Sequence, residues 1–412
     1  MQIVYTILVH IGAFAVWFSQ FFSPKMKLFV CGRKEVFGLL KREILPEDKT
    51  IWMHCASLGE YEQGLPVLKG IRKEFSDYKI VLSFFSPSGY EVKKDSAEAD
   101  VVCYLPIDTT KNARKFVELV HPKMALFVKY EFWPNFLFAL KKQVIPVFLI
   151  SALFRKNQLF FKPYGGWMRK SLSVFEHFFV QEEKSKVLLE SIGFKNVIIS
   201  GDTRFDRVSQ QIEQDNTLEF IQEFKQDKIC IVAGSTWPED EDLLIDYMNK
   251  TSEEVQCIIA PHNIKPHLIQ KLKEKITKKC VLYSEKEDKN LGDYSIFIID
   301  TIGLLTKIYS YADIAYVGGA MGNTGLHNIL EPATFGLPII IGENFKKFPE
   351  AHALRLRAGL FSVSNFKELE EIVNKLIHNT SFREKTGMIC SHYVSKNIGA
   401  TAIILNYLKN KH

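Results

Sequence analysis

At 412 residues, with 47% apolar, 24% charged and 13% aromatic side chains, the chain is long enough for two globular domains and too apolar for global disorder. The net charge of +6 is mild, and no nucleic-acid motif accompanies it, so no nucleic-acid partner is expected. The seven cysteines form no CxxC pair and the eleven histidines no HExxH spacing, which points to reduced core thiols, no metal and no cofactor.

The chain opens on residues 3–22, IVYTILVHIGAFAVWFSQFF, an almost wholly apolar run of bilayer length ended by Pro24. Lys25, Lys27, Arg33, Lys34, Lys41 and Arg42 follow. That excess of positive charge sets the downstream body on the cytoplasmic side of a membrane. Residues 1–24 are therefore expected to be a membrane anchor helix, single-pass or monotopic, held near anionic lipids. A cleaved signal peptide would need a charged start and a small-residue cleavage site, and both are missing.

Beyond the anchor, strand-like and helix-like stretches alternate. Apolar runs fall at 51–53, 80–85, 101–105, 124–128, 144–150, 178–180 and 197–199. A second series falls at 229–233, 255–260, 280–283, 296–299, 314–317 and 338–341. Continuous Val/Ile runs separated by helices predict parallel sheets covered on both faces. Two series predict two doubly wound α/β domains, at 25–205 and 228–412, joined by a polar linker at 206–227. The cleft between the sheets is the expected ligand site.

Six stretches carry candidate chemistry. In HCASLGE, residues 54–60, a strand turns into a helix and Glu60 stands in its first turn. Such a glutamate is either an ordinary helix-dipole partner or a base at the carboxyl end of a parallel strand. In KYEFWPN, residues 129–135, Glu131 follows a strand, and in GDTRFD, residues 201–206, Arg204 precedes the linker. The stretch YVGGAMGNTGLHNILEPATFG, residues 316–336, reads as a strand, a glycine-rich turn suited to a phosphate, and a helix from Leu326 to Gly336. On that helix Asn328 and Glu331 would share a face and offer a carboxylate to ribose hydroxyls. The competing reading is a tight structural turn. AGSTWPEDED and APHNIKPH, at 233–242 and 260–267, follow strands in the same half. Phe154-Arg155-Lys156 and Phe160-Phe161-Lys162 are either additions to a membrane-facing surface or solvated loops.

In this order, HCASLGE, KYEFWPN, GDTRFD, AGSTWPEDE and the glycine-rich stretch resemble the 3-deoxy-D-manno-octulosonic acid (Kdo) transferases. The resemblance implies a GT-B fold of two Rossmann-like domains. It also implies inverting transfer of Kdo from CMP-Kdo to the sugar hydroxyl of lipid A precursor at the inner membrane. It makes Glu60 the base, with Glu131 and Arg204 supporting the transition state, the latter where the family usually carries lysine. CMP contacts fall on Pro261 and His262, on Ile302, Gly303 and Leu304, and on Asn328, Ile329, Leu330 and Glu331. The chain reads Pro261-His262-Asn263 where P-R-H is usual and has Leu304 where M-G-E is usual. The alternatives are a GT-B glycosyltransferase using a UDP-sugar, and a non-catalytic membrane-bound scaffold. The presence of both carboxylates argues against the scaffold.

Overall fold

In the computed structural model, which describes residues 2–411, the chain divides into two compact units. The first runs to Arg207 and resumes at Ile398, and the second spans Val208–Asn397. In the first unit the strands are β1 (Thr50–Cys55), β2 (Lys79–Phe84), β3 (Val101–Tyr104), β4 (Pro122–Val128), β5 (Val147–Ala152), β6 (His177–Val180) and β7 (Val197–Ile199). They form one sheet in the order β3-β2-β1-β4-β5-β6-β7. In the second unit, β8 (Ile229–Thr236), β9 (Val255–Pro261), β10 (Cys280–Leu282), β11 (Ile296–Ile298), β12 (Ile314–Val317), β13 (Ile339–Gly342) and β14 (Leu360–Val363) pair in the order β10-β11-β9-β8-β12-β13-β14. All pairings are parallel.

The thirteen apolar runs all became strands. β14 was missed because Leu360–Val363 is short and only its two ends are buried. The central strands are buried along their full length, as a parallel sheet with helices on both faces requires. Trp52, Phe116, Phe127 and Phe136 pack on one face of the first sheet; Ile51, Met53, Val67 and Ile71 pack on the other. Strand order reverses between β1 and β4 in the first unit and between β8 and β12 in the second. The carboxyl ends of strands at such a reversal are where open parallel sheets hold their ligands.

The unit boundaries differ from the expected ones in two ways. Within 206–227, the Glu219–Lys225 helix buries Ile221 and Phe224 in the second unit and sets Phe224 against Phe297. It is a packed element rather than a free linker. The second unit also stops at Asn397. The Ala400–Lys411 helix returns to the first unit, where Ile404 and Leu408 are wholly buried and Tyr407 packs on Phe148, His177 and Phe179. Asp206 anchors it by accepting from the Gly399 and Thr401 amides.

The spanning anchor is a correction. The apolar run does form a helix, Gln2–Ser19, but the chain turns at 20–22 and starts a new helix at Pro24. Eighteen residues rise about 27 Å, short of a ~30 Å hydrocarbon core. Among the described residues no helix is long and apolar enough to cross a membrane. One side of this helix is tied to the body: Tyr5 donates to Asp108 at 2.6 Å and packs on Trp167. Ile7, Leu8, Ile11, Phe14 and Phe18 remain exposed. An apolar groove of about 500 Å³, lined by Val9, Ala13, Val16, Phe29, Phe85 and Trp133 among others, runs beneath.

Two further expectations change. Arg33 is not a surface charge: its guanidinium donates to the Phe29, Phe85 and Leu105 carbonyls, and burial pulls its pKa down to about 9. Phe154 and Phe160 are buried in the core, not displayed on a surface.

Leu408→Ala should lower the stability of the first unit by about 2–5 kcal/mol, because its fully buried side chain leaves a cavity. Urea unfolding followed by tryptophan fluorescence measures this, and a change below about 1 kcal/mol would show that the C-terminal helix is not part of that core.

Candidate active site

Glu60 and Glu131 follow the two strands, β1 and β4, that flank the reversal of the first sheet. Ser57 begins the Leu58–Glu74 helix in extended conformation, and Glu60 is its first-turn acid. Its Oε2 accepts the Ala56 amide at 2.5 Å, so the helix-dipole reading holds as geometry. The other reading gains from what surrounds it. Burial, and next the charge of Glu131 beside it, push the Glu60 pKa up to about 8, against the opposing pull of the Ala56 amide and Lys129.

Glu131 is 8% exposed. Its Oε2 accepts the Trp133 indole N–H at 2.7 Å and lies 3.3 Å from His54 Nε2. Lys129, just past β4, holds φ at +67°, a left-handed conformation that a non-glycine residue adopts at a cost. This kink ends β4 and starts the turn that carries Glu131. Burial lowers the Lys129 pKa, and nearby Arg204 lowers it further while Asp202 and Glu60 oppose. Arg204 is paired with Asp202, its Nε and Nη2 each 2.8 Å from Oδ2. The first unit thus gathers two carboxylates, a lysine and an arginine at one end of its sheet.

In the second unit the loops after β8, β9 and β12 converge. Buried Asp240 ties the first to the third: it accepts the Trp237 and Gly319 amides at 2.9 and 2.8 Å and the Tyr316 hydroxyl at 2.9 Å. Trp237 stacks on His262 with 4.6 Å between centroids, and His262 lies 4.7 Å from His327. The Trp237 indole N–H donates to His327 Nε2 at 3.0 Å. Burial, and next the neighbouring His262, lower the His327 pKa to about 4, so the ring is neutral and accepts that bond near pH 7.

The glycine-rich turn does not feed a long helix. It closes on itself, with the Gly325 and His327 amides donating to the Gly319 and Gly318 carbonyls. A Cβ on Gly319, whose φ is +94°, would meet the Gly325 carbonyl oxygen at 2.1 Å. The helix that follows it directly is the short Leu330–Thr334, so Asn328 stands before it rather than on it. Asn328 Oδ1 accepts the Leu330 amide and its Nδ2 donates to Glu331 Oε1 at 3.1 Å. The expected pair is adjacent through these bonds and not through helical periodicity.

Of the residues singled out in the sequence, Glu60, Glu131 and Arg204 share one neighbourhood. His262 and Asn328 to Glu331 flank His327 in space or sequence, and Pro261 ends β9. Ile302 to Leu304 form a separate loop in which Ile302 is 83% exposed and Gly303 takes φ of +91°. Sequence reasoning missed His54, Trp133, Asp202 and Trp237 as parts of these sites. His54 carried a signal, a lone polar residue inside a strand that is apolar on both sides.

Two parallel doubly wound units, each with polar loops at its strand-order reversal, define a GT-B-like α/β protein. The fold is similar to that of UDP-GlcNAc 2-epimerase from Neisseria meningitidis (TM-score 0.62, 17% identity, 88% of this chain and 100% of that one). It is also similar to MurG from Acinetobacter baumannii (TM-score 0.56, 10% identity, 88% and 99%). Residues 32–207 match the family model described as 3-deoxy-D-manno-octulosonic-acid transferase. Relatives described by the same activity occur in Haemophilus influenzae (24% identical, 91% of this chain and 90% of that protein) and Aquifex aeolicus (28%, 87% and 97%). A bifunctional glycosyltransferase/methyltransferase of Fusobacterium nucleatum is 26% identical over 96% of this chain, which spans 63% of that protein. Over these residues, and at this level of identity, the chain is similar to the Kdo transferases.

Asp240→Leu should destabilise the second unit by about 3 kcal/mol, since it strands the buried donors of Gly319 and Trp237. Asp240→Asn, which keeps an acceptor oxygen, should lose less. Equal losses in urea unfolding would assign the effect to side-chain shape instead.

Proposed function

We propose that the chain is an inverting glycosyltransferase that moves Kdo from CMP-Kdo to a sugar hydroxyl of a lipid A precursor. The observation that carries this reading is the Glu60–Glu131 pair at the reversal of the first sheet, with Glu60 raised to about 8, in a chain similar to the Kdo transferases. A carboxylate of such proton affinity is a far better base than an ordinary glutamate and suits the deprotonation of an alcohol. Glu60 takes the hydroxyl proton. The acceptor oxygen then bonds to the anomeric carbon as the bond from that carbon to the CMP phosphate oxygen breaks, and CMP leaves from the opposite face. Arg204 and Lys129 meet the negative charge of the reacting groups. Glu131 stabilises the positive charge that grows on the sugar ring.

The nucleotide is assigned to the second unit, with Glu331 on ribose hydroxyls beside Asn328. Pro261 and His262, and the Ile302-Gly303-Leu304 and Ile329-Leu330 backbones, line the rest. The lipid is assigned to the first. The apolar groove under the N-terminal helix includes Trp133, the same side chain that holds Glu131, which supports an acceptor with acyl chains. The exposed Ile7, Ile11, Phe14 and Phe18, with Lys25 and Lys27 following, support attachment to the surface of an anionic membrane on its cytoplasmic side.

Glu60→Gln should cut turnover by roughly 100-fold or more while shifting stability by no more than about 1 kcal/mol. In the wild type, raised proton affinity means that the base form is lost as pH falls through about 8. kcat/KM should therefore drop about tenfold per pH unit below that value. A stable Gln variant with near-normal turnover, or a flat profile from pH 6 to 9, would reject the assignment.

Replacing Ile7, Phe14 and Phe18 together by serine should release the protein from phosphatidylglycerol vesicles and leave its melting curve in place. Continued sedimentation with vesicles after a high-salt wash would remove the helix from the membrane-binding role.

A further inference from the structure

Two cations beside the carboxylate pair have no counter-ion. Lys129 stands just past β4 and Arg155 just past β5. Among the described residues, neither the Lys129 ammonium nor the Arg155 guanidinium joins an ion pair or donates a hydrogen bond. Both lie against one ring: Lys129 Nζ is 5.2 Å and Arg155 Cζ 5.8 Å from the centroid of Tyr130. Lys129 is half-buried, and burial, Arg204 and Arg155 all act against its charge. Two acids act the other way. Asp202 is already paired with Arg204, and Glu60 keeps its proton up to about pH 8. A cation–π contact offsets only part of the cost of holding like charges together out of water.

The ring between the cations is incomplete in its own way. The Tyr130 hydroxyl oxygen is buried and has no hydrogen-bond partner. A buried donor left so is costly, and an anion held by either cation would bring it an acceptor oxygen. Two unpaired positive charges match a phosphate monoester, which carries about −1.5 to −2 near pH 7. A carboxylate or a phosphate diester brings a single charge. The guanidinium fork takes two oxygens of a phosphate and the ammonium serves as a point charge on a third.

Sheet order says which substrate brings that phosphate. The strands run β3-β2-β1-β4-β5. The apolar groove is lined by Phe85 and Pro87 after β2 and by Ile107 and Asp108 after β3. The two cations follow β4 and β5, and Glu60 follows β1, between the two sets. Strands are spaced by about 5 Å, so groove and cations flank the base on opposite sides. A molecule that reaches from one to the other passes Glu60.

We propose that Lys129 and Arg155, across the Tyr130 ring, form a subsite for a phosphate monoester on the acceptor: the polar end of a lipid whose acyl end lies in the groove and whose hydroxyl faces Glu60. This rests on the reading of the first unit as the acceptor's. It adds a recognition element, Arg155, that the reaction itself does not use.

The test is equilibrium binding by calorimetry, in detergent micelles, with the full chain. The probes are a lipid A precursor with its phosphates intact and the same lipid after enzymatic dephosphorylation. The wild type should prefer the intact lipid by about tenfold, the loss expected when a charged hydrogen-bond partner is removed. Arg155→Gln and Lys129→Gln should each bind the two lipids with affinities within about twofold of one another, and Arg155→Gln should bind CMP-Kdo as the wild type does. Equal affinity of the wild type for both lipids overturns the proposal, and so does a preference retained in either variant. Weaker CMP-Kdo binding by Arg155→Gln, with the lipid preference intact, would assign the cations to the donor and also overturn it. Arg155 is exposed, so its variant decides alone if Lys129→Gln does not fold. Binding needs no turnover, so an active Glu60→Gln, which sinks the base reading, leaves this subsite standing. No binding of either lipid to the wild type refutes the acceptor assignment itself, and the subsite with it.

Discussion

Two carboxyl groups side by side and largely out of water cannot both ionise freely. Either one keeps a proton or donors must be supplied to hold the second charge. The Glu60–Glu131 pair is this constraint, and much of the first unit is arranged around it. The Ala56 amide and Lys129 oppose the rise in Glu60's proton affinity, while burial and Glu131 drive it. The Trp133 indole lies on Glu131.

The sheet makes the pair possible. Parallel strands end on one side, and reversal of strand order between β1 and β4 separates the loops that leave them. Glu60 and Glu131 come from those two loops, 71 residues apart in sequence, and meet because β1 and β4 are hydrogen-bonded neighbours. The left-handed Lys129 ends β4 abruptly enough to turn Glu131 back toward β1. Such strain survives where packing on every side over-determines it, and here Val128 and the strands beside it are completely buried.

The second unit solves a different problem with the same layout. Its loops converge at the reversal between β8 and β12, but its groups are rings and amides rather than paired acids. Asp240 acts as an internal bracket for two loops, and the Trp237, His262 and His327 rings pack together. The cation that the P-R-H pattern would supply at 262 is replaced here by a ring engaged in stacking.

The sequence alone determined the two parallel sheets, because strands buried on both faces must be continuous apolar runs whatever their neighbours. It also marked Glu60, Glu131 and Arg204, since acids and bases just past such runs lie at strand ends. It did not determine which loops meet: pairing of β1 with β4, and of β8 with β12, is long-range, and nothing local encodes it. For that reason His54 and Trp133 passed as core residues until their nitrogens were seen on one carboxylate oxygen. The glycine turn passed as a helix start because φ of +94° at Gly319 and +101° at Gly325 has no signature beyond glycine itself. The first run of apolar residues was legible as a helix but not as a docked one, since only the folded body supplies Asp108 for Tyr5. The return of residues 398–411 to the first unit was equally hidden: an amphipathic helix shows which face it buries, and only the tertiary structure decides against what.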